Sequence, residues 1–201
     1  MKKLIIVLIT SLFSLHSFSQ YVNDGSAEIE KKMPKNVITI SPLGFINKAR
    51  LKVERGIGNY FSVGAIGSFY YGVFPGFQVA PFVRVYPQGE GLNGFYLYVK
   101  GIYGNHSPIY DVIDPYYQSV NRIENPFEST GIGTGLGIQV ISGKNKSVAV
   151  DFSMGVKFMS PASYVFDTNY YEISGAFTNA IYYTTGPGSY FDGFVGVGIS
   201  F

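Results

Sequence analysis

Eight ionisable side chains fall on one face of the alternating segments that carry them: Arg50, Lys52, Glu54, Arg84, Lys100, Asp151, Lys157 and Asp192. Inside a closed structure, charges of both signs support two chemistries. One is an interior network of ion pairs and hydrogen bonds, with Glu54 and Asp151 as the anion partners. The other is a narrow pore lined by cations. The network is the expectation, because Phe82, Tyr86, Tyr96, Tyr98 and Phe194 share the same face and would fill a narrow lumen.

Nucleophilic catalysis has one candidate. His106 stands beside Ser107 and upstream of Glu124 and Glu128, and a base beside a hydroxyl with a nearby carboxylate is the raw material of a hydrolytic triad. Adjacent residues on an extended strand point to opposite faces, so the pair works only in a loop conformation. A loop-surface or interfacial histidine accounts for it better, and no catalytic residue is expected. Gly131, Gly133, Gly135 and Gly137 lack the helix and the Lys-Ser/Thr pair of a phosphate loop, and their strict period of two predicts packing inside a strand. Asp111 and Asp114 offer weak calcium ligands, but ordinary loop solvation is the expectation. The chain has no cysteine, which excludes thiolate metal sites and disulfides. No metal and no cofactor is expected.

The elements that must position these residues are strands. From residue 60 onward, apolar and small or polar residues alternate in blocks of about ten. Over 147–158, Val148, Val150, Phe152, Met154, Val156 and Phe158 share one face, opposite Ala149, Asp151, Ser153, Gly155 and Lys157. The same pattern recurs over 130–140, 191–201, 95–103, 77–86, 61–71 and 49–54, and a first strand is expected over 36–45, interrupted by Pro42. The count is eight. Connections at 56–59, 87–94 and 142–146 are short, whereas 43–48, 71–76, 104–127 and 159–189 lie at the other end and include two long loops. Those loops hold many aromatic residues. Tyr116, Tyr117, Tyr170, Tyr171, Tyr182 and Tyr183 form a candidate contact surface for a protein or glycan, with an aromatic girdle as the competing explanation.

Composition agrees with a barrel that faces lipid. Charged residues make up 14% and aromatic residues 17% of the 201 residues, against roughly 25% charged in an ordinary soluble domain. Lys2 and Lys3 precede an apolar run over 4–15 that is too short to span a bilayer, and Ser17 and Ser19 place a cleavage site before Gln20. Residues 1–19 therefore read as an export signal, 20–35 as a periplasmic segment and 36–201 as the barrel. Removing the two leader lysines leaves 13 basic against 13 acidic residues, a neutral chain with no footprint for nucleic acid. A soluble barrel would carry many Lys and Glu on its outer face. Here the second face is mostly Gly, Ser and Tyr, which suits a narrow interior and sends the aliphatic face outward.

The terminal Gly198-Ile199-Ser200-Phe201, continued by Val197 and Val195, resembles the closing strand read by the barrel-assembly machinery, with Gly198, Ile199 and Phe201 as the assembly signal. A polar residue is often found where this chain has Gly196. The chain as a whole resembles the small eight-stranded outer-membrane proteins. More narrowly, Lys35-Asn36-Val37-Ile38-Thr39-Ile40-Ser41-Pro42-Leu43 and the stretch from Leu51 through Glu54-Arg55-Gly56 to Gly64 resemble a family of Bacteroidota outer-membrane barrels. Lys52 and Val53 stand where an aromatic is often seen. The resemblance implies an all-β, eight-stranded antiparallel up-and-down transmembrane β-barrel in the outer membrane, with long loops outside and the C-terminus in the periplasm. It also implies outer-membrane lipid and lipopolysaccharide as surroundings and the assembly machinery as a transient partner, while the aromatic loops point to an envelope protein as a further partner. The expected function is non-enzymatic, structural or surface-interacting, as an accessory subunit of an envelope complex. The alternatives are a lipid A modifying enzyme, since some small barrels use His and Ser for that reaction, and a small porin-like pore.

Overall fold

A computed structural model describes residues 34–42, 47–71, 74–113, 120–124, 126–142, 147–160, 181–184 and 186–201, with 109–113 and 120–124 described by backbone alone. Residues 1–19, expected to be an export signal, the segment 20–33, Asp114, Tyr116, Tyr117, Tyr170 and Tyr171 lie outside the described residues. The strands are β1 (Asn36–Ile40), β2 (Lys48–Ile57), β3 (Phe61–Tyr70), β4 (Gly76–Val85), β5 (Gly94–His106), β6 (Ile109–Ile113), β7 (Val120–Glu124), β8 (Phe127–Ser142), β9 (Val148–Met159) and β10 (Phe191–Ser200).

Eight of them close an all-β antiparallel barrel in the order β1-β2-β3-β4-β5-β8-β9-β10, with β10 returning to β1. Each barrel strand pairs with the barrel strands before and after it along the chain, β5 with β8 across the β6–β7 hairpin, which is the expected up-and-down connectivity. Closure leaves the barrel sheet without an edge strand. At the seam Val37 pairs with Ser200 and Ile40 with Val197, and Phe201 exchanges backbone hydrogen bonds with Asn36 at 2.9 and 3.0 Å. No helix among the described residues is long and apolar enough to cross a membrane.

Local sequence sets the turns. Between β2 and β3 the chain reverses through Gly58, whose φ of 68° is open to glycine at little cost, and Ile57 pairs directly with Phe61. β1 ends at Ile40, short of the expected span to residue 45, because Pro42 has no amide to extend the ladder. The expected loop over 104–127 is mostly structured: β5 runs on to His106, and β6 and β7 form a separate antiparallel hairpin pairing Ile109 with Glu124.

The period of two separates the faces cleanly. On β9, Val150, Phe152, Met154 and Val156 are 43–53% exposed, while Ala149, Asp151, Ser153 and Lys157 are buried. The outward face of the eight barrel strands is mostly aliphatic and aromatic, with the hydroxyls of Thr130 and Thr134 on β8 among its few polar groups. Its only charged side chains are Arg55, near the turn end of β2, and Glu128, near the loop end of β8. Phe69, Phe77, Tyr103, Phe158 and Phe191 stand outward near the loop end, and Tyr60, Phe61 and Phe201 near the turn end. Outward aromatic rings thus lie at both ends of the barrel strands.

Candidate functional site: the charged lumen

The expected charge set converges inside the barrel, and its turn-side half is a closed network. Lys52 Nζ donates to Glu54 Oε2 at 2.7 Å, Asp151 Oδ2 at 2.7 Å and Gln139 Oε1 at 2.6 Å, which uses all three of its donors. Arg84 forks across the same two carboxylates at 2.9 Å each and lies over the Tyr96 ring, 3.9 Å from its centroid. The remaining carboxylate oxygens are also filled. Glu54 Oε1 accepts from Ser62 at 2.6 Å and Tyr86 at 2.8 Å, and Asp151 Oδ1 accepts from Tyr96 at 2.6 Å. Gln139 Nε2 donates to the Leu92 carbonyl at 2.8 Å, tying the network to the β4–β5 turn.

Two cations face two anions, and Lys52, Glu54 and Asp151 are 0–1% exposed. A buried set of this kind is stable only when the charges balance and the lone pairs are occupied. Both conditions hold for the two carboxylates, while Arg84 Nε is buried without a hydrogen-bond partner. Ser62 and Gln139 share the inward parity, but their role required knowing which strands meet: Lys52 and Gln139 lie 87 positions apart.

Above this network the lumen narrows to Ile66, Phe82 and Phe194. A void of about 10 Å³ lies between these three and Arg84, Tyr98, Lys100, Ser153 and Asp192, room for about one water molecule. The inward glycines of β8 make this filling possible. A Cβ on Gly135 would come 2.7 Å from Tyr98 Oη, and one on Gly155 would come 2.6 Å from the same oxygen. The glycine run is the floor on which the inward tyrosines lie.

The loop-side half holds the other cations. Lys100 pairs with Asp192 at 2.6 Å, and Tyr98 donates to the same carboxylate oxygen at 2.5 Å. Lys157 Nζ donates to the Pro187 carbonyl at 2.7 Å, and Arg50 donates to the Gly193 carbonyl. Lys48 also points inward, over the Tyr70 ring at 5.0 Å. Lys48 was missed in the sequence because it sits at the first position of β2, where a loop was expected to end.

His106 is a correction. It is fully buried rather than on a loop surface or interface, because β5 keeps its alternation two residues beyond Gly104. Its ring meets Tyr70 edge-on at 5.2 Å and leans on Phe127 at 5.6 Å. Ser107 is half-buried, and its backbone amide donates to the Pro75 carbonyl at 2.8 Å. Among the described residues no cluster of His, Cys, Asp or Glu could hold a metal ion.

Tyr182 is a second correction. It was expected in a contact surface, yet it is 0% exposed, packing edge-on against Phe74 at 5.5 Å and against Phe127 at 5.8 Å over the barrel mouth. Its large apolar ring gains more from this cluster than from water. Tyr183 is half-buried and stacks on Tyr190 at 5.6 Å. Of the assembly residues, Ile199 and Phe201 face outward and Gly198 sits against the β1 backbone. Comparisons with protein-family models, curated proteins and solved structures return no match.

Proposed function

We propose that the chain is a non-enzymatic outer-membrane β-barrel with a sealed lumen and a structural or surface-interaction role, acting as an accessory subunit of an envelope complex. The observation that carries this reading is the outward face. Between Arg55 and Glu128 it carries mainly Val, Ile, Leu, Phe and Met, with no charge and with the Thr134 hydroxyl turned back to the Tyr98 carbonyl, around the whole circumference of a closed barrel. Soluble monomers rarely expose apolar patches beyond a few hundred Å², whereas acyl chains solvate such a belt at no cost.

Further support comes from the outward aromatic rings at both strand ends and from the terminal Phe201, which suits recognition by the assembly machinery. The filled lumen argues against a porin-like pore. The short turns belong on the periplasmic side and the longer connections outside, with lipopolysaccharide around them, in the arrangement common to such barrels. The resemblance to the Bacteroidota barrel family is part of this reading.

A strain lacking the protein tests it together with purified protein in planar bilayers. The lipid A mass profile should be unchanged on deletion, and the reconstituted barrel should show no sustained conductance. An altered acylation pattern would replace this reading with the enzyme, and reproducible open channels would replace it with the pore.

A further inference from the structure

The apolar outer face is not evenly filled. A groove of about 420 Å³ crosses its loop-side half, lined by Ile40, Ala49, Leu51, Gly67 and Phe69 among others, and its one charged lining residue among those described is Arg50. Ile40, Leu51, Gly67 and Val79 stand in one register row across β1 to β4. Glycine opens that row: a Cβ on Gly67 would meet nothing closer than the Leu51 carbonyl oxygen at 3.9 Å. The volume lies in the range of small-molecule sites.

Arg50 comes to the groove because the seam ladder is short. β1 pairs with β10 only as far as Ile40 with Val197, whereas β10 begins at Phe191. Alternate residues of β10, Gly193 among them, turn their backbone groups to the side on which Phe201 meets Asn36. The half-buried Arg50 reaches the Gly193 carbonyl on that side, beyond the last β1 pair. That carbonyl is its only hydrogen-bond acceptor among the described residues, and no carboxylate among them lies within ion-pair distance of it. A guanidinium keeps its charge in such a place, and a charge at the edge of hydrocarbon is costly until an anion meets it. The depth is suitable. Ala49, next to Arg50, shares a register row with Phe69 and Phe77, two of the outward rings at the loop end, and such rings mark the membrane–water interface.

We propose that the groove and Arg50 together bind one phosphate-bearing membrane lipid, with an acyl chain along Gly67 and the phosphate on the guanidinium. Arginine meets phosphate oxygens through paired N–H donors, and the bond to Gly193 leaves most of its donors for them. A free phosphate ion gains nothing from the apolar lining, and an uncharged lipid gains nothing from Arg50. The proposal rests on the outer-membrane reading above, because the groove opens on the face assigned to lipid.

The test uses the full chain folded in uncharged maltoside micelles. Dioleoyl phosphatidylglycerol is titrated, with dioleoylglycerol and inorganic phosphate in parallel, and bound lipid is counted by native mass spectrometry beside the unfolding midpoint. One phosphatidylglycerol per barrel is expected, with a midpoint that rises with its concentration, while dioleoylglycerol binds roughly tenfold more weakly and inorganic phosphate moves nothing. Arg50→Gln and Gly67→Leu should each weaken phosphatidylglycerol roughly tenfold. Gly67→Leu fills the groove and leaves Arg50 and the ladder in place, so it decides the matter even where Arg50→Gln folds poorly. Gly101→Leu, at an outward glycine with open space above it and outside the groove, should bind as the parent does. Parent-like affinity in Gly67→Leu, equal binding of dioleoylglycerol, or an equal midpoint rise with inorganic phosphate would overturn the site and leave the membrane reading standing. A lipid-free dimer that Gly67→Leu abolishes would give the groove to a second copy of the chain and overturn it as well. A chain that stays a soluble monomer once detergent is removed would overturn the membrane reading, and the site with it.

Discussion

Asp151→Ala should destabilise the folded barrel by about 3–5 kcal/mol, the range seen when one partner of a buried ion pair is removed. Asp151 accepts from Lys52, Arg84 and Tyr96 at 2.7, 2.9 and 2.6 Å, in a region closed to water. Its loss leaves two buried cations sharing Glu54 and strands the Tyr96 hydroxyl. Asp151→Asn keeps the shape and some hydrogen bonding but loses the charge, so it should fall between the parent and the alanine variant. Urea unfolding of the vesicle-inserted protein, read as a change in midpoint at constant slope, measures this. A loss below about 1 kcal/mol for Asp151→Ala, the scale of an exposed pair, would show that the network is hydrated and contributes little to the fold.

Arginine placed on the outward face gives the second large effect. Phe152 and Met154 flank the midpoint of β9 and are 46% and 53% exposed. If acyl chains surround them, Phe152→Arg and Met154→Arg should each cost about 2–4 kcal/mol of folding free energy in vesicles, because the guanidinium is held at the depth where charge is least solvated. Ile57→Arg, outward at the turn end of β2, should cost no more than about 1 kcal/mol, since the side chain there reaches the interface. Folding titrations of the three variants into vesicles provide the comparison. Equal costs at all three positions would remove the depth dependence that a bilayer imposes.

Strand parity was legible wherever alternation was strict. Val148 to Phe158 against Ala149 to Lys157 could be assigned without a structure because a shift of one residue would expose Asp151 and Lys157 together. The glycine run of β8 was readable for the same reason, and its period allowed only a strand. Which inward charges meet was less accessible. Lys52 touches Gln139 and Asp151 only because closure brings β2, β8 and β9 around one lumen, and pairing across 87 and 99 positions leaves no local signature.

Strand ends were the weakest point. Lys48 and His106 sit at the first position of β2 and the last of β5, where sequence does not mark how far the ladder continues. The hairpin of β6 and β7 escaped notice because each strand has five residues inside a segment rich in polar and aromatic side chains. Tyr182 shows another limit. A tyrosine in a loop serves equally as a wet contact residue or as a buried cap, and only its neighbours Phe74 and Phe127 decide.

The central claim is that the aliphatic face meets hydrocarbon, and the absence of cysteine allows a direct measurement. Single variants Val150→Cys, Phe152→Cys, Met154→Cys and Val156→Cys can each carry one environment-sensitive fluorophore, with quenchers placed either at defined depth on the acyl chains or in the aqueous phase. All four positions should be quenched from within the bilayer and shielded from the aqueous quencher, with the strongest effect of a midplane quencher at Phe152 and Met154. Free access of the aqueous quencher to all four positions, with no effect from the bilayer quenchers, would contradict the account and make this a soluble barrel.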